Sequence, residues 1–412
     1  MDELKVPLNS KLSAPIVYNA KNQRKKQALS VTDTVLSLVL VSPLTIGCWR
    51  GTWELVTCYT TLFPAWLTFL FGNVAYAILI VGKYEIGELI TTKSTTLEFT
   101  LKRLHTYVFM WIGICIWNRG WELYNLACEI KVVDIQELDG NDNPYSVIGS
   151  FVFFYTCLGC LRSTRSTLNV PFVMVLDTKS AYSDFPTRFK KTIEEKTTLY
   201  VLDCLFSVFI IGTLVVFVWR GAWVLVDIYL FPENEYWSAW GSLVLGYTIV
   251  AIAFLLQPMM RWICDRISGL LRLLVADVFL FFSFVGTVNV WRGIWNLLNL
   301  YFLPENMELS AWITHWVCLI LLILLKCSNT LLVRGVYIDA DEPAGKCVVF
   351  PVYYLRLIFQ RERIKKINKK FQIEAMSRRK IELDNIKIDC SCGTDLKNHI
   401  TKENAQNHSP SQ

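Results

Sequence analysis

Four arginines stand where a charge is costly, each set among tryptophans at the end of an apolar run. The clusters are Trp49-Arg50-Gly51-Thr52-Trp53-Glu54, Trp117-Asn118-Arg119-Gly120-Trp121-Glu122, Trp219-Arg220-Gly221-Ala222-Trp223 and Trp291-Arg292-Gly293-Ile294-Trp295. Every cluster carries Trp at i and i+4, so both indoles share one helical face, and the glycine between them lets a neighbouring helix come close. Three roles fit these residue types. The plainest, and the one expected, is an aromatic belt at the headgroup level with the arginines snorkelling outward. The second turns Arg50, Arg119, Arg220 and Arg292 inward onto acids such as Glu54, Glu122 and Asp227, locking a helix bundle. The third places the same pairs around an outer vestibule. Asn125, Asn289, Asn296 and Asn299 lie near the same level and fit an interhelical hydrogen-bonded layer more simply than a pore.

A second set of charges sits near the opposite ends of the same runs. Asp33 and Asp203 each precede their cluster by sixteen residues, while Asp203 and Asp277 each stand nine residues before a Gly-Thr pair. A carboxylate near a helix start meets the positive end of the helix, so capping is the expected role, with an ion or proton site as the minority alternative. Pro-Glu-Asn recurs at 232–234 and 304–306, following Phe231 and Leu303. Pro258 is expected to bend or end the helix that holds it.

No Gly-rich phosphate loop, His-Glu-x-x-His or Gly-x-Ser-x-Gly is present, and the four histidines are scattered. These absences argue against an enzyme, and no cofactor or metal is expected. The thirteen cysteines are spread through apolar runs and loops, so they make neither a disulfide framework nor a zinc ribbon. Cys264, Cys327 and Cys347 are candidates for acylation near the inner interface, with buried, idle thiols the expected state.

The elements that must carry these residues are membrane spans. The 412-residue chain is 53% hydrophobic and 18% charged. Its apolar segments fall near 31–49, 62–82, 104–128, 146–162, 200–230, 238–260, 273–302 and 311–333, most of them near the ~20 residues that a helix needs to cross ~30 Å of hydrocarbon. Lys and Arg concentrate in the segments that eight spans would leave in the cytoplasm, while the alternate loops are acidic or nearly free of them. The expected fold is therefore all-α: a polytopic transmembrane helical bundle of about eight spans, arranged as four pseudo-repeated helical hairpins, with both termini cytoplasmic. Residues 1–30 form a cytoplasmic N-terminal segment, 31–335 the transmembrane domain and 336–412 a basic cytoplasmic tail. Arg361, Arg363, Lys365, Lys366, Lys369 and Lys370, interspersed with Ile364, Ile367 and Phe371, suit an amphipathic helix on anionic lipid or on a protein partner. The net charge of +6 reads as a membrane-surface bias and not as nucleic-acid binding. Glycines and aromatics near the outer leaflet serve packing within one chain or between copies, so a homo-oligomer stays open.

The repeated Trp-Arg-Gly-x-Trp elements, followed by Phe231-Pro232-Glu233-Asn234 and by Pro304-Glu305-Asn306, resemble the Fuseless family of invertebrate eight-span membrane proteins over about 30–335. The resemblance implies a plasma-membrane role at presynaptic terminals, in the placement of calcium channels, and supplies no catalytic residues. The function expected is a non-enzymatic organiser whose partners, beside the bilayer, are a channel complex or a cytoskeletal adaptor. The alternative is an ion channel or secondary transporter that uses Asp203, Asp277 and the repeated polar positions.

Overall fold

A computed structural model describes residues 20–91, 95–133, 144–178, 180–193, 197–340, 345–360 and 362–380. Most of the N-terminal segment, the acidic stretch after 133 and Arg361 lie outside them. The described residues are helical, with ordered loops and no strand.

In chain order, α1 (Ala20–Leu36) passes through a π-helical stretch, Ser37–Val41, into α2 (Ser42–Cys58). α3 (Ala65–Val81) bends by 66° into α4 (Lys83–Thr91), and α5 (Thr95–Val133) and α6 (Pro144–Cys160) follow. α7 (Thr197–Leu205) repeats the first pattern, running through π-helical Phe206–Gly212 into α8 (Thr213–Tyr229). α9 (Glu235–Arg266), α10 (Gly269–Tyr301) and α11 (Met307–Leu324) complete the set. Pro258 neither ends nor splits α9, which continues two turns beyond it. Five of these rods are long and apolar enough to cross a membrane, or six when the bent α3–α4 pair is taken as one span. α5 is long but carries His105, Asn118, Arg119 and three tryptophans, which dilute its hydropathy.

α2, α5, α8 and α10, the helices that bear the Trp-Arg-Gly clusters, touch one another in a closed inner ring. Around it, α3 packs on α5, α6 on α8, α9 on α10 and α11 on α2. This corrects the expected hairpins: each outer helix lies closest to the inner helix that follows it, and α11 closes the circle against α2. The motif glycines explain the pairing. Gly51 faces Ala311 and His315 of α11, Gly120 faces Phe69 of α3, Gly221 faces Phe151 of α6 and Gly293 faces Leu243 of α9. A side chain on any of these four would stand between the inner helix and its cover.

The Pro-Glu-Asn repeats turn the chain at the cluster end. Phe231 and Leu303 both take φ +51°, and Asn234 and Asn306 then cap α9 and α11 by accepting from the amides of Trp237 and Leu309, each at 3.0 Å.

At the other end, two loops after α6 and α11 fold alike. Each helix closes with a left-handed residue, Arg162 (φ +49°) or Lys326 (φ +57°), and a short 3-10 turn follows at Thr164–Thr167 or Ser328–Leu331. The loops then brace each other. Asp339 accepts from the amides of Thr164 and Arg165, and Asp177 accepts from Ser328 Oγ and the amide of Asn329. Their backbones repeat the relation, with the Asp339 amide donating to Arg162 O and the Asp177 amide to Lys326 O, both at 2.8 Å. The described residues of the helical bundle thus form a pseudo-duplication, one half ending at 193 and the other beginning at 197.

The chain divides into two compact units, Met1–Tyr353 and Tyr354–Gln412. The boundary read after 335 therefore falls inside the first unit, where Val336, Val348, Phe350 and Val352 are buried. In the second unit, residues 354–360 and 362–380 are helical.

Candidate functional site: an eight-tryptophan well

Because the inner helices carry Trp at i and i+4, the ring brings eight indoles to one axis in two layers. Trp49, Trp117, Trp219 and Trp291 form the deeper layer, with ring centroids 5.5–5.8 Å apart around the circle. Trp53, Trp121, Trp223 and Trp295 form the layer above, at 5.7–6.0 Å. Every neighbouring pair is edge-to-face, the arrangement that sets the positive rim of one indole on the negative face of the next. Each such pair contributes about 0.5–1.5 kcal/mol beyond its area burial. The indoles therefore gather around the axis, and the lipid-facing belt expected for them is replaced by an internal well.

The deeper layer is anchored from below. Trp49 Nε1 donates to Leu331 O at 2.9 Å, Trp219 Nε1 to Thr167 O at 2.9 Å and Trp291 Nε1 to Val170 O at 3.0 Å. The two braced loops thus form the floor. A cavity of about 190 Å³ remains above them, lined by seven of the eight tryptophans, Glu54 and Asn169.

The arginines do not snorkel. Arg50, Arg119, Arg220 and Arg292 are all buried, and their partners follow one rule. The residue one place after the deeper Trp bonds the residue eight places after the deeper Trp on the preceding inner helix. Arg50 Nε meets Asn299 Oδ1 at 2.6 Å, Arg220 Nε meets Asn125 Oδ1 at 2.9 Å and Arg292 Nε meets Asp227 Oδ1 at 2.6 Å. In the second cluster, where Arg is displaced by one residue, Asn118 takes the place and donates to Thr57 Oγ1 at 3.1 Å. Arg119 adds a contact of its own, pairing with Glu122 and donating to Val56 O. The inward lock holds, but its acceptors are largely neutral, with Asp227 serving Arg292 and Glu122 serving Arg119. Glu54 forms no such bridge and lines the well together with Trp295.

The guanidinium ends of Arg50 and Arg292 continue to the outer helices, Arg50 to Ser310 and Met307 of α11 and Arg292 to Ser238 and Ser242 of α9. Their hydrogen bonds are thereby spent on the outer helices, while Arg50 stays an opposite charge acting on Glu54, one turn further along α2.

The aspartates act on loops. Asp203 accepts from Thr187 Oγ1 at 2.6 Å and from the amides of Phe189 and Lys191, so it fastens the segment before α7 and does not cap its own helix. The Thr164 hydroxyl lies between Asp277 at 3.2 Å and Asp339 at 3.0 Å, with one proton to share between them, and the Thr164 amide donates to Asp339. Asp33 is fully buried. Ser37 Oγ donates to Pro171 O and Ser207 Oγ accepts the Arg188 amide, so each π-helical stretch hooks one loop at its first turn. Asp339 lies outside the spans; burial pushes its carboxyl above the usual range, opposed by the amides of Arg165 and Thr164. Among the described residues no three His, Cys, Asp or Glu side chains gather as metal ligands would.

The sequence pattern places Asn118 in its cluster without giving it a role, and does not single out Thr57, Asp177 or Asp339. Asn118 and Thr57 could have been found by counting one and eight places from each deeper Trp. No periodic signal marked the loop aspartates.

The class defined so far is an all-helical protein with several candidate membrane spans, built by internal repetition around an aromatic axis. The family model named Fuseless matches residues 28–332, and the chain belongs to that family. No curated protein and no solved structure matches it.

Proposed function

We propose that this chain is a non-enzymatic plasma-membrane protein of eight spans with both termini in the cytoplasm, and that it localises a membrane complex. The complex that the Fuseless resemblance implies is the presynaptic calcium-channel apparatus. The observation that carries the reading is the second unit. Arg363, Lys365, Lys366, Lys369 and Lys370 lie on a helix whose described residues from 362 to 380 are all exposed within the chain. Ile364, Ile367 and Phe371 form an apolar stripe on it at i, i+3 and i+7, each at least 43% exposed. A basic amphipathic helix with an uncovered stripe suits anionic lipid or an acidic partner. The braced, arginine-locked bundle supports a scaffold that holds its shape.

Deleting residues 356–412 tests the reading. Partner recruitment should be lost while the bundle still inserts and unfolds at its original temperature. Recruitment that survives the deletion would move the partner surface to the bundle.

The alternative is an ion channel or secondary transporter. It draws support from the well on the bundle axis, while Asp203 and Asp277, its candidate carriers, are engaged by loop hydroxyls and amides. Flux through purified protein in liposomes that disappears in the Asp203→Asn/Asp277→Asn variant would establish it.

A further inference from the structure

The well has the chemistry of a cation receptor. Four indoles whose centroids stand 5.7–6.0 Å apart around a fourfold axis put its centre about 4 Å from every ring, inside the ~6 Å over which a cation is drawn to an indole π-system. In the deeper layer, the N–H groups of Trp49, Trp219 and Trp291 are taken by loop carbonyls and do not point into the space. Glu54 supplies a carboxylate at the wall and Asn169 a neutral polar group. No arginine lines the cavity; the hydrogen bonds of Arg50 and Arg292 go to neighbouring helices, and Arg50 acts on Glu54 as a charge without bonding it. The interior is therefore lined by indoles, carries one acid and has no basic side chain on its wall.

Size narrows the ligand. A cavity of about 190 Å³ is somewhat larger than the ~150 Å³ that accommodates benzene. That volume suits a trimethylammonium group and is far below the ~300–1,000 Å³ of sites for drug-sized molecules. A bare alkali ion would lose its hydration shell to walls with few oxygen ligands, whereas a quaternary ammonium is weakly hydrated and presents methyl groups to the rings.

We propose that the eight-tryptophan well binds a quaternary ammonium group, Glu54 providing its counter-charge. The group is carried either by a small soluble molecule or by the headgroup of a choline phospholipid. The site is independent of the basic helix that carries the scaffold reading, so either can fail without the other.

The test uses the full chain in nanodiscs of phosphatidylglycerol and follows tryptophan emission and calorimetric binding. Choline and tetramethylammonium should bind saturably, while 3,3-dimethylbutanol, the neutral isostere of choline, should bind at least on the order of 30-fold more weakly. Trp223→Leu and Glu54→Gln should each weaken choline by about 10-fold or more, and Trp262→Leu, on the exposed surface of α9, should not change it. Choline titration in phosphatidylcholine nanodiscs distinguishes the sources. Competition by the lipid assigns the site to a headgroup, and unchanged choline affinity assigns it to a soluble molecule. Equal affinity for choline and its neutral isostere in wild-type protein, or no saturable binding of either, overturns the proposal without recourse to a variant.

Discussion

Asn118 Nδ2 donates to Thr57 Oγ1 at 3.1 Å across the same helix-to-helix step at which Arg292 Nε meets Asp227 Oδ1 at 2.6 Å. One geometric rule is therefore met by an amide–hydroxyl pair at one corner of the ring and by an ion pair at another. The energies should differ accordingly. Arg292 is buried and also serves Ser238 and Ser242, so Arg292→Ala removes several hydrogen bonds and leaves a void. Because Asp227 is 44% exposed and keeps access to water, unfolding in detergent should show a loss of about 2–3 kcal/mol for Arg292→Ala, from its several hydrogen bonds, and about 1 kcal/mol for Asn118→Ala. A reversed order would mean that the ring is held mainly by its tryptophans.

The helical glycines separate by what they face. A Cβ on Gly51 would lie 2.6 Å from Ala311 O and from the His315 amide, backbone atoms that cannot move without shifting α11. On Gly149 it would meet nothing within 4 Å. Gly51→Ala should destabilise by about 2–4 kcal/mol through overpacking. Gly149→Ala, in α6, should stabilise by up to about 1 kcal/mol, because alanine loses less backbone freedom than glycine in a helix. Thermal unfolding of the two variants side by side checks both signs.

Much of this architecture is legible in the sequence, and the parts that are not have physical reasons. The Trp spacing identifies the inner helices, since i and i+4 fix one face, and the Pro-Glu-Asn repeats mark the turns. Whether that face meets lipid or a partner helix cannot be read from one helix, because the same indoles suit both. Burial of all four arginines decides it, and that depends on closing a ring between residues as far apart as Arg50 and Asn299. The braced loops are harder still. Asp177 and Asp339 act on each other's 3-10 turns across more than 150 residues of sequence, a pairing with no local signature.

Cysteine chemistry offers an independent check on the loop end. Cys327 lies in the second brace and is fully buried, and burial, reinforced by Asp177, pushes its thiol up to about 12. Cys264 and Cys347 are likewise buried. The thiolate is the reactive form, so Cys327 should resist maleimide at pH 8 in the folded protein and react once it is unfolded. Among the described cysteines, mass spectrometry of labelled peptides should place reaction of the native state at exposed Cys58 and Cys160. Labelling of Cys327 in the native state would mean that the brace opens.

The brace should also respond to pH in a defined direction. Burial raises the folded-state carboxyl of Asp339 above its ordinary value of 3.8, so between that value and the raised one the folded chain holds a proton that the unfolded chain has released. Stability from this group is therefore fully present below the ordinary value and falls as pH rises through the window. Asp339→Asn fixes the group in a neutral form, retains one acceptor oxygen and abolishes the titration. The wild type should lose stability relative to this variant as pH is raised from about 4, measured as the difference between their unfolding temperatures. A difference independent of pH would show that the amides of Thr164 and Arg165 hold the carboxylate ionised throughout, and that they outweigh its burial.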